Sequence, residues 1–449
     1  MIKWCIILAN WYNKILSNLP EVKGPFKGRK LSFKEKIKWT TLVLVAFFLL
    51  GVVPLFGLGA NALSQFEFLS VVLGASFGSL ITLGIGPIVM ASIVLQLLVG
   101  SGILKKDLQK TEDKAWFQGT QKLLTYAFII VEAVIYVALG GLSPEAGVSS
   151  MVLITQLIIG GLLIVFMDDI ISKWGFGSGV SLFIAAGVSQ QIFTQALSPL
   201  KNGESFVGAI PHLFQALSQG ALVDVQVTIL SIIATVGIFM LVVFAQAMKV
   251  EIPLSFGRVR GHGVRWPLNF IYTNVIPIIL VSALVSNLQL LGGLFGNGFV
   301  DKVLPFLTNN NLLTHLFSGS ATPVMFIQAG TYILFYMLLA AVFSWFWMQT
   351  SGLDPKSQSK QMMGSGLSIP GFRKDKRTLE RLLKRYIYPL TIMSGLFIGF
   401  LAATADMTGA FGTGTGLLLT VMIIYKLYQD IGKEQLGDIN PAMAKLLKR

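Results

Sequence analysis

Ten runs of about 17 to 25 predominantly apolar residues dominate this chain, at roughly 40–58, 84–103, 120–140, 150–171, 178–197, 226–248, 269–291, 325–348, 386–405 and 412–429. Charged or Gly/Pro-rich stretches separate them. A helix of that length matches the hydrocarbon core of a bilayer, and within it only helices and closed barrels satisfy their own backbone. The pattern predicts an all-α polytopic membrane protein with ten transmembrane helices. Composition agrees: the 449 residues are 54% hydrophobic and 12% charged, and a soluble domain would carry about 25% charge.

The net charge of +14 would suit a nucleic-acid partner if it were spread over the chain. It is not. With the N-terminus placed in the cytoplasm, segments 1–39, 103–122, 172–177, 249–265, 351–385 and 426–449 share one membrane face and hold 33 of the 35 Lys and Arg. Only Lys201 and Lys302 lie elsewhere, so the positive-inside rule puts both termini in the cytoplasm. The short apolar run Trp4 to Ala9 leads into Trp11, Tyr12 and Lys14 rather than a small-residue cleavage site. Met1 to Leu19 reads as an amphipathic helix on the membrane surface, or alternatively as a soluble contact helix. The single cysteine, Cys5, excludes a disulfide framework and a cysteine-based metal cluster.

Five spans per half, an odd number, predicts two halves of opposite orientation and demands breaks at corresponding positions. The fifth span is entered through Gly175-Phe176-Gly177-Ser178-Gly179 and the tenth through Phe411-Gly412-Thr413-Gly414-Thr415-Gly416. The second follows Gly84-Ile85-Gly86-Pro87, and the seventh carries Asn274 and Pro277. The expected organisation is a cytoplasmic N-terminal segment (1–39), an N-terminal half (40–200), an external link (201–225), a C-terminal half (226–430) with cytoplasmic loops 249–268 and 349–385, and a cytoplasmic tail (431–449).

One stretch fits no ordinary span. Residues Phe66 to Leu73 are apolar and helical in pattern, yet about half as long as a crossing requires. Gly74-Ala75-Ser76 ends them, and the full span beginning at Pro87 follows the Gly84–Gly86 hinge. Irregular backbone at membrane depth is tolerated where it is buried in protein or lines a cavity, so this half-helix is expected inside a pore.

Catalytic patterns are missing: there is no Gly-x4-Gly-Lys-Ser/Thr loop, and His212, His262 and His315 fall in separate loops. No catalytic residue, metal site or cofactor is expected. Glu132 stands out as an ionisable residue inside a span, with Asn287 and Gln289 as polar residues in the seventh. Ion-coupled transport would call for several such groups. Around the proposed pore the residues are apolar instead: Ile85 and Val89, and Val180 and Ile184, are pairs four apart beside Gly-rich breaks, which suits a constriction as well as packing. The loop 250–267 alternates as a hairpin would, with Arg258 and Arg260 near its tip, and 353–385 ends in a basic helix. Loops this long and basic serve either topology or docking to an acidic or RNA-rich partner.

These residues resemble the archaeal form of the SecY family, the channel subunits of the Sec protein-translocation complex. The resemblance runs from PEVKGPFKGRKLSFKEKIKWT (20–40) through LGIGPIVMASIVLQLLVGSGI (83–103), MDDIISKWGFGSGVSLFIAAGVSQ (167–190), VEIPLSFGRVRG (250–261), YTNVIPIIL (272–280), LDPKSQSKQM (353–362) and GFRKDKRTLERLLKRYIYP (371–389) to FGTGTGLLLTVMIIYKLYQ (411–429). It implies two pseudo-symmetric five-helix halves with a central pore, a plug helix and a lateral gate. Unfolded secretory polypeptides would pass through the pore, and hydrophobic segments would leave sideways into lipid.

The family's hydrophobic pore ring maps onto Ile85, Val89, Val180, Ile184, Ile279 and Leu419. The plug corresponds to the stretch holding Phe66, Phe68, Leu69 and Val72. Glu132 and Asn287 fall at polar lateral-gate positions, and Met90 occupies a gate position that is often polar. Arg258, Arg260 and Arg373 match basic loop residues that dock a ribosome or other cytosolic driver. Implied partners are SecE-like and Secβ/SecG-like small membrane subunits, signal sequences, nascent polypeptides and membrane lipid. An archaeal-type channel would lack the bacterial SecA motor, and the implied location is the cell membrane. A secondary transporter would instead need a polar midplane cavity, and a scaffold would need neither the half-helix nor the repeated breaks.

Overall fold

The computed structural model describes residues 19–25, 31–59, 78–100, 103–104, 106, 110–138, 142–145, 147–202, 205–256, 263–273, 276–295, 304–307, 312–317, 319–364, 367–368, 375–412 and 414–439. Each of the ten predicted spans coincides with a helix: α1 (Phe33–Val52), α2 (Gly86–Gly100), α3 (Thr111–Ala138), α4 (Ser150–Trp174), α5 (Gly179–Leu197), α7 (Leu222–Ala247), α8 (Ile276–Phe295), α9 (Pro323–Thr350), α11 (Lys376–Met407) and α12 (Gly414–Ile439). Outside the spans lie α6 (Ala209–Gln219) and α10 (Pro355–Gly364), together with a six-residue helix Leu312–Phe317 and a 3-10 turn Leu304–Phe306. Among the described residues six helices (α3, α4, α5, α7, α9 and α11) are long and apolar enough to cross a membrane, while Gly86–Gly100 and Ile276–Ser286 are shorter apolar segments. The chain divides into two compact units, Met1–Phe183 and Ile184–Arg449, with the division inside α5.

In the first unit, α1 begins earlier than its apolar run because Ser32 and Glu35 form a reciprocal capping box. It ends at Val52 because Pro54 disfavours helix at the residue before it, and Val53 is extended. Pro54 then pairs with Ser79, and the Leu55 and Leu80 amides donate to the Gly78 and Val53 carbonyls at 2.8 and 2.9 Å. The expected plug, with Phe66, Phe68, Leu69 and Val72, lies outside the described residues, but the chain on either side of 60–77 is joined by this short bridge. Residues 20–23 are strapped to α3 and α4: Tyr126 donates to the Pro20 carbonyl at 2.9 Å, the Trp174 indole to that of Lys23 at 3.0 Å, and Lys173 to that of Val22 at 2.6 Å. Lys173 also pairs with Glu21, which holds that carboxyl below its ordinary range. The core of the unit includes Ile81, Leu83, Ile129, Leu153, Leu157 and Ile164, and Phe47 stacks on Phe183 at 4.7 Å.

The second unit begins with the rest of α5 and a two-residue ribbon of β1 (Lys201–Asn202) and β2 (Ser205–Phe206). Helix α6 folds back on α7, where His212 Nδ1 lies 3.2 Å from Thr228 Oγ1. The loop expected to be a hairpin is one: β3 (Lys249–Phe256) and β4 (Gly263–Asn269) pair antiparallel from Lys249↔Asn269 to Ser255↔Gly263. Strand β5 (Leu367–Ser368) adds to β3 through Ser255↔Ser368 and Phe256↔Leu367. Ile252 and Leu268 of the hairpin share one apolar cluster with Met348 of α9, Met362 of α10 and Leu379, Leu383, Ile387 and Leu390 of α11. The two long basic loops are therefore one packed module.

Boundaries in the second unit also differ from the sequence reading. Helix α8 starts at Ile276 rather than near 269, because the backbone up to Asn269 is committed to pairing with β3. The basic helix and the ninth span are a single helix, α11, which runs through Pro389. A proline there removes one backbone hydrogen bond, and the residues around it, Ile387 and Leu390, are packed into the apolar cluster.

Candidate functional site

The expected ring residues fall at four helix entrances. Gly84 has a φ of +54°, which turns the chain into α2, and Val89 N donates to Ile85 O at 3.1 Å. Ile85 and Val89 therefore sit one turn apart, as their spacing predicted. Helix α2 starts at Gly86 with Pro87 second, and α8 starts at Ile276 with Pro277 second. Proline suits the first turn because its missing N–H has no partner there. Val89 and Ile279 are thus both the fourth residue of their helices. In the same way Ile184 and Leu419 are both the sixth residue of α5 and α12. Ile85, Val89, Ile184, Ile279 and Leu419 are all buried, and Val180 is half-buried.

The entrances to α5 and α12 repeat one arrangement, each within its own unit. Gly177 and Gly412 have φ of +72° and +78°, a left-handed conformation that favours glycine. The amide before each glycine is held by a threonine of the first span in that half. Phe176 N donates to Thr40 Oγ1 of α1 at 3.1 Å, and Phe411 N donates to Thr235 Oγ1 of α7 at 3.0 Å. Both hydroxyls donate onward to the carbonyl four residues back, Lys36 O at 2.9 Å and Ser231 O at 2.7 Å.

A carboxylate in the last two turns of the preceding span accepts from the second amide of the new helix. Val180 N donates to Asp168 Oδ1 at 3.0 Å, and Thr415 N to Asp406 Oδ1 at 2.8 Å. Asp406 also accepts from Tyr332 Oη at 2.7 Å and bonds the Thr415 hydroxyl. Close approach explains the first residue of each helix. A Cβ on Gly179 would lie 2.6 Å from Asp168 Cα, and one on Gly414 would lie 1.9 Å from the Ala405 carbonyl carbon.

Thr40, Asp168, Thr235 and Asp406 were not singled out from the sequence. The repeated spelling Phe-Gly-Ser-Gly (176–179) and Phe-Gly-Thr-Gly (411–414), each a few residues after an aspartate, was the available signal.

The other expected site residues lie on several elements. Glu132 is half-buried on α3 and Met90 half-buried on α2, while Asn287 belongs to α8. Arg258, Arg260 and Arg373 lie outside the described residues, but the segments that carry them, 257–262 and 369–374, follow directly on β3 and β5, which pair. The second span adds Gln96, buried, whose amide nitrogen donates to Ser92 Oγ at 2.8 Å.

Comparison with known proteins agrees over nearly the whole chain. The SecY family model matches residues 79–428. The protein translocase subunit SecY of Methanothermobacter thermautotrophicus is 45% identical, over 98% of this chain and 99% of that protein. Among solved structures, a protein-conducting channel aligns with a TM-score of 0.82 at 39% identity, covering 96% of this chain and 99% of that one. Sec61 in the canine ribosome–channel complex from the endoplasmic reticulum aligns with a TM-score of 0.78, also at 39% identity, with the same coverage. The chain is therefore a multi-pass membrane protein that belongs to the SecY family, the protein-conducting channel subunits of protein translocases, and it is not an enzyme.

Proposed function

We propose that this chain passes unfolded secretory polypeptides through a constriction formed by Ile85, Val89, Val180, Ile184, Ile279 and Leu419, to which both halves contribute. The observation that carries this assignment is positional. Val89 and Ile279, and Ile184 and Leu419, occupy matching turns of helices that start in matching ways. An inverted repeat would deliver side chains in such pairs to a shared axis. An apolar ring seals against ions by dewetting or close packing, yet makes no sequence-specific contact with a passing chain. Photo-crosslinkers placed at Ile85 and Val180 should capture a stalled secretory chain. Labelling no stronger there than at Phe239, exposed on the outer face of α7, would reject the assignment.

The finer parts of the mechanism follow on this reading. Residues 62–78, with Phe66, Phe68, Leu69 and Val72, close the resting pore from outside as a plug. Glu132, Met90 and Asn287 line the lateral gate through which apolar segments partition into lipid by transfer free energy. Residues 1–39 and 431–449 are cytoplasmic, 40–200 and 226–430 form the halves, and 201–225 link them outside the cell membrane. Arg258, Arg260 and Arg373 dock a ribosome or other cytosolic driver. Their support is the packed loop module from which all three spring, together with the likeness to a Sec61 found in a ribosome–channel complex. SecE-like and Secβ/SecG-like small subunits complete the assembly.

A further inference from the structure

The repeated entrance to α5 and α12 is more than a turn. We infer that Asp168 and Asp406 are paired positioning residues that set the height and rotation of these two helices, and through them the ring residues Val180, Ile184 and Leu419. The inference rests on the ring assignment above and adds to it the groups that hold the ring in place.

A helix start leaves its first amides without partners, and a side chain that accepts from one of them fixes where the helix begins. Here the acceptor belongs to the preceding span rather than to the residue ahead of the helix. Asp168 therefore ties α5 to α4, and Asp406 ties α12 to α11. Gly179 and Gly414 let each tie be short, since any side chain there would strike the preceding span. The threonine bonds from Thr40 and Thr235 fix the other end of each turn. With a left-handed glycine between two anchors, the new helix has little freedom to rotate or slide. Ile184 lies one turn beyond Val180, and Leu419 one turn beyond Thr415, so an error at the anchor carries directly into the ring.

The same four contacts recur in both units, although the surrounding side chains differ. Loops that merely connected neighbouring helices would have no reason to share a threonine anchor, a left-handed glycine, a side-chain-free helix start and a carboxylate cap. A carboxylate also gains from the partial positive charge of the helix N-terminus, which makes its interaction with the amide stronger than a neutral acceptor's.

The test uses the complete channel complex in planar bilayers, with resting ion conductance as the first readout. Dependence of translocation on a functional signal sequence is the second. Asp168→Ala and Asp406→Ala should each raise resting conductance several-fold and allow clients with defective signal sequences to pass. Asp168→Asn, which keeps an acceptor at Oδ1, should restore most of the seal, and this rescue separates positioning from a general loss of stability. Should the alanine variants fail to assemble, Asp168→Glu keeps the charge and lengthens the tie by one methylene, and it should leak as well. Val180→Asn with Ile184→Asn serves as the control for the ring itself. If that double variant leaks while assembled Asp168 and Asp406 variants stay as tight as wild type, the positioning role is wrong and the ring stands. If neither leaks, the ring assignment fails and this inference fails with it.

Discussion

At the scale of single residues, Asp406 shows how a carboxylate is accommodated inside a bundle of membrane helices. An isolated charge there would be prohibitive, and Asp406 instead meets the Tyr332 hydroxyl, the Thr415 amide and the Thr415 hydroxyl. Tyr332→Phe deletes one donor and leaves the acceptor buried, which should cost about 1–3 kcal/mol. Thermal unfolding of the detergent-solubilised complex would register it as a lower midpoint, and an unchanged midpoint would show the bond to be energetically idle. Thr40 and Thr235 offer a comparison internal to the molecule. Each accepts one loop amide and donates to the carbonyl four residues back, so Thr40→Val and Thr235→Val should destabilise by similar amounts. A large difference between them would mean that the two entrances are alike in shape only.

At the scale of elements, the strap at residues 20–23 and the loop module behave differently towards solution conditions. Glu21 is held below its ordinary value of 4.5, chiefly by the hydrogen bond from Lys173. A carboxyl depressed in the folded state contributes stability above its unfolded pKa and loses it as pH falls through the folded one. The strap should therefore loosen only below about pH 4.5, seen as faster proteolysis near residue 21, and Glu21→Gln should abolish that pH dependence. The loop module depends on apolar packing instead. Leu383 and Ile387 are fully buried beneath the hairpin, and Leu383→Ala should cost about 2–5 kcal/mol with little pH dependence. Reversing the charges of Arg258, Arg260 and Arg373 should leave that packing and the membrane orientation intact while weakening salt-sensitive ribosome binding. Ribosome binding that survives at every salt concentration would reduce these arginines to topological signals.

At the scale of the whole molecule, deleting residues 62–74 should leave an inserted protein with a leaky resting pore. A plug that is almost always closed at rest and almost always open in use needs a bias of about 5.5 kcal/mol, which a chain occupying the same space can supply. A cysteine at position 68 should be shielded from outside thiol reagents at rest and labelled during translocation, and equal labelling would remove the plug. The sequence by itself determined the class of molecule: ten apolar runs, 33 basic residues gathered in six segments and Gly-rich breaks in each half left few alternatives to an inverted-repeat channel. These signals are legible because span length, loop charge and helix interruption are each properties of contiguous residues. Only the tertiary structure decided that Asp168 and Asp406 cap helices they do not belong to, that Thr40 and Thr235 hold amides some 136 and 176 residues away, and that two distant basic loops share one apolar core. The physical reason is that a hydrogen bond between distant segments leaves no period in the sequence. An aspartate or threonine in a span looks the same whether it faces water, its own helix or another segment's backbone, and only the packed chain distinguishes these.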